Sequence, residues 1–313
     1  MPGTGTVLVT GASGFVGRRL VTRLVDEGLL VVDVGGVGDR DATDRCDLRD
    51  RTAVRLLIER HAPSTVLHLA AMSSVGQAEG ERLLTWDVNL GGTANLAAAC
   101  LDLKHPVRFV FASSAEVYGA SFVEGPCDEG APLRPQSVYA SSKAAAEWLL
   151  RGLAGDRFEV VVARPFNHVG AGQDMRFVVP SLAAQIAAVE RSGGSGKIEV
   201  GNLDAVRDFS HVDDLIDALA TLATAPVPAS FNVFNIGSDE PISVRAVLDR
   251  LLHLSSAQVS IAIDPARLRA SDIPVAAGNF GAFDRAFGPR QRRPLDDALR
   301  TVLAAAAEPD RSI

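Results

Sequence analysis

Two tyrosines and three lysines occur in the 313-residue chain, and one of each stands four apart in Tyr139-Ala-Ser-Ser-Lys143. On a helix, positions i and i+4 share a face, so this phenol and ammonium would enter one site. A phenol near its reference pKa of about 10 is a slow acid and a poor base at neutral pH. A neighbouring cation favours the phenolate and brings it towards working range. Arginine would not substitute well, since it lacks a compact ammonium able to reach a ribose hydroxyl. A lysine four residues after a tyrosine should arise by chance in roughly 2% of chains of this composition. The competing explanation is an exposed helical pair. Upstream, Ser113-Ser114-Ala115-Glu116 follows the apolar run Val107–Ala112. At the carboxyl end of a parallel strand Ser114 would face the ligand crevice, within reach of a substrate carbonyl and Tyr139. A turn-capping serine is the alternative.

A second constellation lies near the N-terminus. Gly11-Ala-Ser13-Gly14-Phe15-Val16-Gly17 separates the strand-like Thr6–Thr10 from an amphipathic stretch starting at Phe15. Gly11 would permit a tight turn, Gly14 close approach of backbone to a pyrophosphate, and Gly17 close helix–strand packing. The phosphates would meet free N–H groups at a helix N-terminus. Glycine spacing alone is weak, but Asp33 closes the second expected strand 22 residues after Gly11. A carboxylate there would bind the adenosine ribose hydroxyls and repel a 2′-phosphate. Val34, Gly35 and Gly36 follow it rather than an arginine, which favours NAD(H), with NADP(H) as the alternative through Arg18 or Arg40.

The elements that must position these residues alternate. Strands are expected at Thr6–Thr10, Leu29–Val34, Thr65–Leu69, Val107–Ala112 and Phe158–Ala163, with helices at Phe15–Glu27, Asp50–His61, Glu81–Leu101 and Val138–Leu153. The helix before Pro63 must stop there, because a proline pushes its predecessor out of the α region. This alternation implies an α/β Rossmann-type, doubly wound parallel sheet covered on both faces. After Arg164 the pattern changes to a loop at Asn167–Arg176, a helix at Phe177–Glu190 and a Gly/Ser-rich turn at Arg191–Lys197. The strand-like Lys197–Val200, a helix from Val212 and the strand Asn232–Ile236 could rejoin the sheet, and Ser243–Ile313 reads as helical with proline-punctuated loops. The expected organisation is a cofactor domain over 1–165 plus about 205–238, interleaved with a smaller C-terminal substrate lobe over about 166–204 and 239–313.

Bulk properties narrow the function classes. A net charge of −7 disfavours nucleic acid as a main partner. No apolar run reaches 18 residues, so no membrane span is expected. Three scattered cysteines (Cys46, Cys100, Cys127) and the lack of a signal-peptide pattern point to a reducing, cytoplasmic setting. The six histidines lack ligand spacing, so no metal site is expected.

Several segments together, Thr10–Gly17, Cys46-Asp47-Leu48, His68-Leu69-Ala70-Ala71, Val88-Asn89, Ser113–Gly119, Tyr139–Lys143 and Arg164-Pro165-Phe166-Asn167, resemble extended short-chain dehydrogenase/reductases that modify nucleotide sugars. Within that family, Ala163–Gln173, Val200–Phe209 and Asp264–Pro274 resemble the branch of GDP-mannose 4,6-dehydratases and GDP-4-dehydro-6-deoxy-mannose reductases. The resemblance implies a catalytic set of Ser114, Tyr139 and Lys143, with Glu116 where dehydratases place the base that removes the C5 proton. It implies that Asp47 and Leu48 meet the adenine, and that Leu69, Ala70, Ala71, Asn89 and Pro165 line the cofactor. It further implies that Asn167, Val179, Arg207, Arg269 and Asp272 bind a nucleotide-diphosphate sugar, a task for which arginine forks suit a pyrophosphate. Two departures disfavour a dehydratase. The first loop reads Gly-Phe-Val-Gly where those enzymes have Gly-Gln-Asp-Gly, and Val34-Gly35-Gly36 replaces their arginine-rich segment. The expected activity is therefore NAD(P)H-dependent C4 reduction of a GDP-4-dehydro-6-deoxy-hexose, with a 4,6-dehydratase or 4-epimerase holding its cofactor tightly as the alternative. A homodimer through the Glu81–Leu101 and Val138–Leu153 helices is also implied.

Overall fold

The computed structural model describes residues 5–39, 42–268 and 273–308. In chain order the first strands and helices are β1 (Val7–Thr10), α1 (Phe15–Asp26), β2 (Val31–Gly35), β3 (Asp44–Arg45), α2 (Arg51–His61) and β4 (Thr65–His68). There follow α3 (Val75–Gly80), α4 (Arg82–Trp86), a π-helical turn at Asp87–Gly91, α5 (Gly92–Leu101), β5 (Val107–Ala112), α6 (Val138–Leu153) and β6 (Phe158–Pro165). The second part holds β7 (Asn167–Val169), α7 (Val178–Arg191), β8 (Ser195–Val200), β9 (Val206–His211), α8 (Val212–Thr224) and β10 (Phe231–Ile236). It ends with β11 (Pro241–Ser243), α9 (Val244–His253), β12 (Gln258–Ile263), β13 (Val275–Ala276), α10 (Gly281–Phe287) and α11 (Leu295–Ala307).

Seven strands form one parallel sheet in the order β10-β6-β5-β4-β1-β2-β3. Successive residues of a strand point to opposite faces, and here both faces are apolar. Phe109 and Phe111 of β5 enter one core with Leu96, Ala146 and Leu150 of the helices on that side. Val110 enters the other, against Leu215 and Leu219 of α8 and Leu20 and Leu24 of α1. Burial on both faces explains why the strands read as continuous Val/Ile/Leu/Phe runs rather than alternating ones. Local chemistry sets the helix ends. Asp50 caps α2 by accepting from the amides of Thr52 and Ala53 at 2.9 and 3.0 Å. Ala62 then turns left-handed (φ 39°) immediately before Pro63.

The structure departs from expectation in three places, two of them in the second part. β8 does not rejoin the large sheet but pairs in parallel with β12, a strand inside the stretch read as helical. Its alternation, Gln-Val-Ser-Ile-Ala-Ile, has the period of a strand. β9, within the range expected for the cofactor domain, pairs with β7, β11 and β13 in a small separate sheet. The single long helix expected over Glu81–Leu101 is interrupted by the π turn around Asn89, an insertion that recurs at functional sites. Val179, Leu182 and Ile186 of α7, Leu248 of α9 and Leu299 of α11 form the apolar centre of this second part. Among the described residues no helix is long and apolar enough to cross a membrane.

One buried histidine ties the sheet to the helical layer. His68, at the end of β4, is 1% exposed. Thr93 Oγ1 donates to Asn89 O at 2.6 Å and therefore accepts from His68 Nε2 at 2.9 Å. Nδ1 is then bare and accepts from Thr10 Oγ1 at 2.7 Å. Burial, then the charge of Lys143, holds this imidazole neutral with a pKa of about 3 against an ordinary 6.5. A folded pKa below the unfolded one gives stability that is present above about 6.5 and is lost as pH falls towards 3. Thermal melts between neutral pH and about pH 4 should therefore show a smaller drop in Tm for His68→Gln than for wild type. Parallel losses would contradict the assignment.

Candidate active site

In an open parallel sheet ligands bind beyond the carboxyl ends of the strands, where the strand order reverses. Here that point lies between β1 and β4. The loop after β1 packs against the loop after β4, and Gly11 (φ 72°) sits at the contact. A Cβ on Gly11 would lie 2.7 Å from the amide nitrogen of Ala70. At Gly17 a Cβ would fall 2.1 Å from the carbonyl oxygen of Gly11 and 2.8 Å from Cα of Ala12, so only glycine lets α1 start this close to β1. Gly14 heads α1 with no side-chain cap, and the first turn, which includes Phe15 and Val16, carries no carboxylate. That leaves the positive end of the helix open to an anion beside Ser13.

Asp33 stands inside β2, its carboxylate accepting from the amide of Thr43 at 3.0 Å and from the Thr43 hydroxyl. Asp47 is forked by Arg49, with Nη2 to Oδ2 at 2.6 Å, and those hydrogen bonds lower its pKa to about 2. Asp47, Arg49, Asp50, Asp87, Gly91 and Asn95 line a cleft of about 520 Å³. Leu48 is turned inward, 8% exposed, under Gly92. These features fit a dinucleotide: an open helix N-terminus for the pyrophosphate, with carboxylates beyond it at Asp33 and Asp47.

Tyr139, Ser142, Lys143 and Glu147 all lie on the buried face of α6. Tyr139 is 8% exposed and hydrogen-bonded to Ser114. Burial pushes its phenol up to about 12, the Ser114 bond pulls it down, and the charge of Glu116 pushes it further up. The expected lowering by Lys143 is not what governs it. Lys143 is 2% exposed, its Nζ donates to Ala112 O at 2.7 Å, and it lies 4.7 Å above the Phe111 ring. Burial draws its pKa down to about 7, and Glu147 pulls it back up. Ser114, bonded to Tyr139, also caps the turn, its Oγ accepting from the Glu116 amide at 3.2 Å.

Asn89 does not present its side chain to the crevice. Its Oδ1 accepts from Met72 N at 2.8 Å, and its Nδ2 donates to Met72 O at 3.3 Å and Ser142 Oγ at 2.9 Å. Ser142 in turn donates to Tyr139 O at 2.8 Å. Asn89 is thus a brace on the backbone of the tyrosine. A larger group was not singled out from sequence. Arg164 of β6 grips Glu147 through Nε (3.1 and 3.2 Å) and Nη2 (2.6 Å), and donates through Nη1 to Tyr118 Oη at 2.9 Å. Tyr118 donates to Asn235 Oδ1 at 2.7 Å. The available signal was Glu147, four residues beyond Lys143 on the same face.

In the second part, Asn167 is exposed at the start of β7, beside Pro165 at the end of β6. Arg207 of β9 donates through Nη1 to Val206 O at 2.8 Å and Ile273 O at 2.7 Å, fixing its direction. Its neighbour Asp208 accepts from the amides of Ser238 (2.7 Å) and Glu240 (3.2 Å), anchoring the turn after β10. Val179 is buried in the apolar centre, 2% exposed, so its side chain cannot line a polar ligand site. Arg269 and Asp272 lie outside the described residues. The two parts touch at the cofactor loop, where Phe15 stacks on His168 (centroids 6.0 Å apart) and Arg19 Nη2 donates to Ala171 O at 2.5 Å.

The fold and this site define a nicotinamide-dependent enzyme of the Rossmann type. The family model of the NAD-dependent epimerase/dehydratase family matches residues 7–237, and the chain belongs to that family. It is 31% identical over 307 residues to the GDP-6-deoxy-D-mannose reductase of Pseudomonas aeruginosa, covering 96% of this chain and 97% of that one. It is 32% identical over 294 residues to a UDP-glucose 4-epimerase of Streptomyces lividans, covering 88% of each. Among solved structures, RMD from Pseudomonas aeruginosa complexed with NADPH matches with a TM-score of 0.83 at 30% identity, covering 97% and 99% of the two chains. The Thermus thermophilus UDP-glucose 4-epimerase complex with NAD matches at 0.82 and 28%, covering 96% and 98%. The protein is a nucleotide-sugar-modifying enzyme with a nicotinamide dinucleotide cofactor.

Gly17→Ala should destabilise the fold by about 1–3 kcal/mol through overpacking and weaken cofactor affinity more than tenfold. Urea unfolding and fluorescence titration with NADH would measure both. Unchanged values would mean that the first turn does not hold the phosphates.

Proposed function

We propose that the chain reduces the C4 keto group of a nucleotide-linked 4-dehydro-6-deoxy-hexose, with GDP-4-dehydro-6-deoxy-D-mannose as substrate and a GDP-6-deoxyhexose such as GDP-rhamnose as product. The observation that carries this reading is the near end-to-end similarity to a GDP-6-deoxy-D-mannose reductase. The Ser114–Tyr139 pair supports it, because a phenol held near 12 keeps its proton at neutral pH and suits the donating role.

When bound, the reduced cofactor supplies hydride. Ser114 holds the C4 oxygen, and Tyr139 donates its proton to that oxygen as negative charge develops there. Lys143, anchored on Ala112 O, presents an ammonium towards the nicotinamide ribose and offsets charge left on the phenol. The Gly11–Gly17 loop binds the pyrophosphate, and Asp33 favours NAD(H) by repelling a 2′-phosphate. Asn167 and Arg207, with Arg269, bind the diphosphate of the sugar nucleotide. A homodimer through α4, α5 and α6 would cover Leu83, Leu101 and Trp148, which are exposed on those helices.

Glu116 favours one second reading. It is half-buried beside Tyr139, where a carboxylate could remove a C5 proton, and the similarity to a UDP-glucose 4-epimerase supports the 4-epimerase form of that reading. Incubation with GDP-4-dehydro-6-deoxy-mannose plus NADH or NADPH, against GDP-mannose alone, separates the two. Cofactor oxidation in the first and no 4-keto product in the second is the expected result; the reverse assigns a dehydratase. Tyr139→Phe should lower kcat by roughly 10²–10⁴-fold with little change in KM, as loss of a positioned proton donor does. Near-normal turnover would remove Tyr139 from the chemistry.

A further inference from the structure

The Glu147–Arg164 pair is a costly thing to build. The two side chains are 4% and 5% exposed, and burying a pair of charges is often no better for stability than apolar residues of the same volume. The pair is nonetheless fully engaged. Arg164 holds both carboxylate oxygens of Glu147, Ser113 Oγ donates to Oε1, and the remaining guanidinium nitrogen reaches Tyr118 and the Glu129 carbonyl at 3.2 Å. This holds the Glu147 carboxylate fixed in place.

Its place in the fold gives that charge a use. Glu147 lies one turn after Lys143 on the buried face of α6. The two side chains fasten to successive residues of the same strand end, Lys143 to the Ala112 carbonyl and Glu147 to the Ser113 hydroxyl. The surroundings of Lys143 hold little else that favours a cation. His68 of β4 is neutral, Tyr139 is a protonated phenol, and Phe111 offers only its ring face. Tyr118, from the turn after β5, is protonated and tied to Arg164 and Asn235. Glu116 from the same turn acts on Tyr139. Glu79 of α3 accepts from the Val138 amide at the far end of α6, and Asp87 of the π turn is exposed.

We propose that Glu147, clamped by Arg164 and Ser113, is the positioning residue that keeps Lys143 protonated in its buried site at working pH. The ammonium sits where burial alone would discharge it, and an opposite charge one helical turn away favours the charged form. The direction agrees with the upward pull of Glu147 on Lys143. Arg164 and Ser113 contribute by fixing the carboxylate in that position. This rests on Lys143 working as a cation in the site proposed above, but the charge state of Lys143 is measurable without any turnover.

The composition makes the measurement direct. The three lysines are Lys104, Lys143 and Lys197, and both others are exposed. Protein labelled with 13C at lysine Cε should give three resonances, of which the third, from Lys143, titrates well below the ordinary lysine value. Lys143→Met identifies that resonance by its loss. In Glu147→Gln the third midpoint should fall by about one pH unit or more, while the other two stay in place. An unchanged or raised midpoint overturns the proposal. Should Glu147→Gln fail to fold, Glu147→Gln/Arg164→Met removes the pair together and leaves no orphaned charge; a smaller fall is expected there, because the cation of Arg164 leaves with the carboxylate, and an unchanged or raised midpoint has the same force. Failure of the C4-reductase assignment would leave this titration as it is.

Discussion

An ammonium that must work in a dry site has to be supported from within the protein, and around Lys143 that requirement reaches through several layers. The ammonium itself rests on one carbonyl and one aromatic face. A carboxylate stands one turn behind it, and that carboxylate needs a guanidinium. The guanidinium in turn needs Tyr118, which needs Asn235 of the sheet-edge strand β10. Each partner satisfies a group that would cost about 1–3 kcal/mol or more if left unpaired. The chain of pairings runs from the buried face of α6 through β6 to β10, so the edge strand contributed by the second part of the sequence supports α6 as well as the sheet.

The opposite end of the crevice is governed by steric constraint rather than charge. Gly17 and Gly11 permit backbone contacts that no side chain would allow. The result is a helix N-terminus pressed against the strand ends, its amides facing outward for want of any capping side chain. Thr10, His68, Thr93, Asn89 and Ser142 then form a continuous hydrogen-bonded path from this loop to the backbone of Tyr139. The cofactor loop and the tyrosine are held in register by neutral groups, and a neutral His68 is part of that arrangement. A path made of uncharged links adds rigidity without adding a field that would disturb the titration of the phenol or the lysine.

Much of the frame was legible in the sequence because its signals are local. β5 and α6 appear with the bounds expected from the chain, since an apolar run before Ser113 and a helical pattern after Ser137 each carry their own start and stop. The Gly11–Gly17 turn and the i,i+4 spacing of Tyr139 and Lys143 are likewise local. The errors came where distant partners decide. β12 was read as helix because its strand character depends on β8, some sixty residues earlier. The π turn depends on Asn89 being drawn to Met72 and Ser142. Val179 is a substrate-binding residue by resemblance, while its side chain packs in the apolar centre of the second part.

The sequence by itself determined the parallel sheet, the glycine turn ahead of α1 and the shared helical face of Tyr139 and Lys143, because backbone propensity, glycine spacing and helical periodicity act within a few residues. Only the tertiary structure decided how those groups titrate. Lys143 does not lower the phenol as a simple neighbour would; burial raises Tyr139 and lowers Lys143. The compensating charge comes from a carboxylate held in place by an arginine in another strand. Desolvation and long-range pairing are properties of the packed interior, and they appear only once β5, α6 and β6 are brought together.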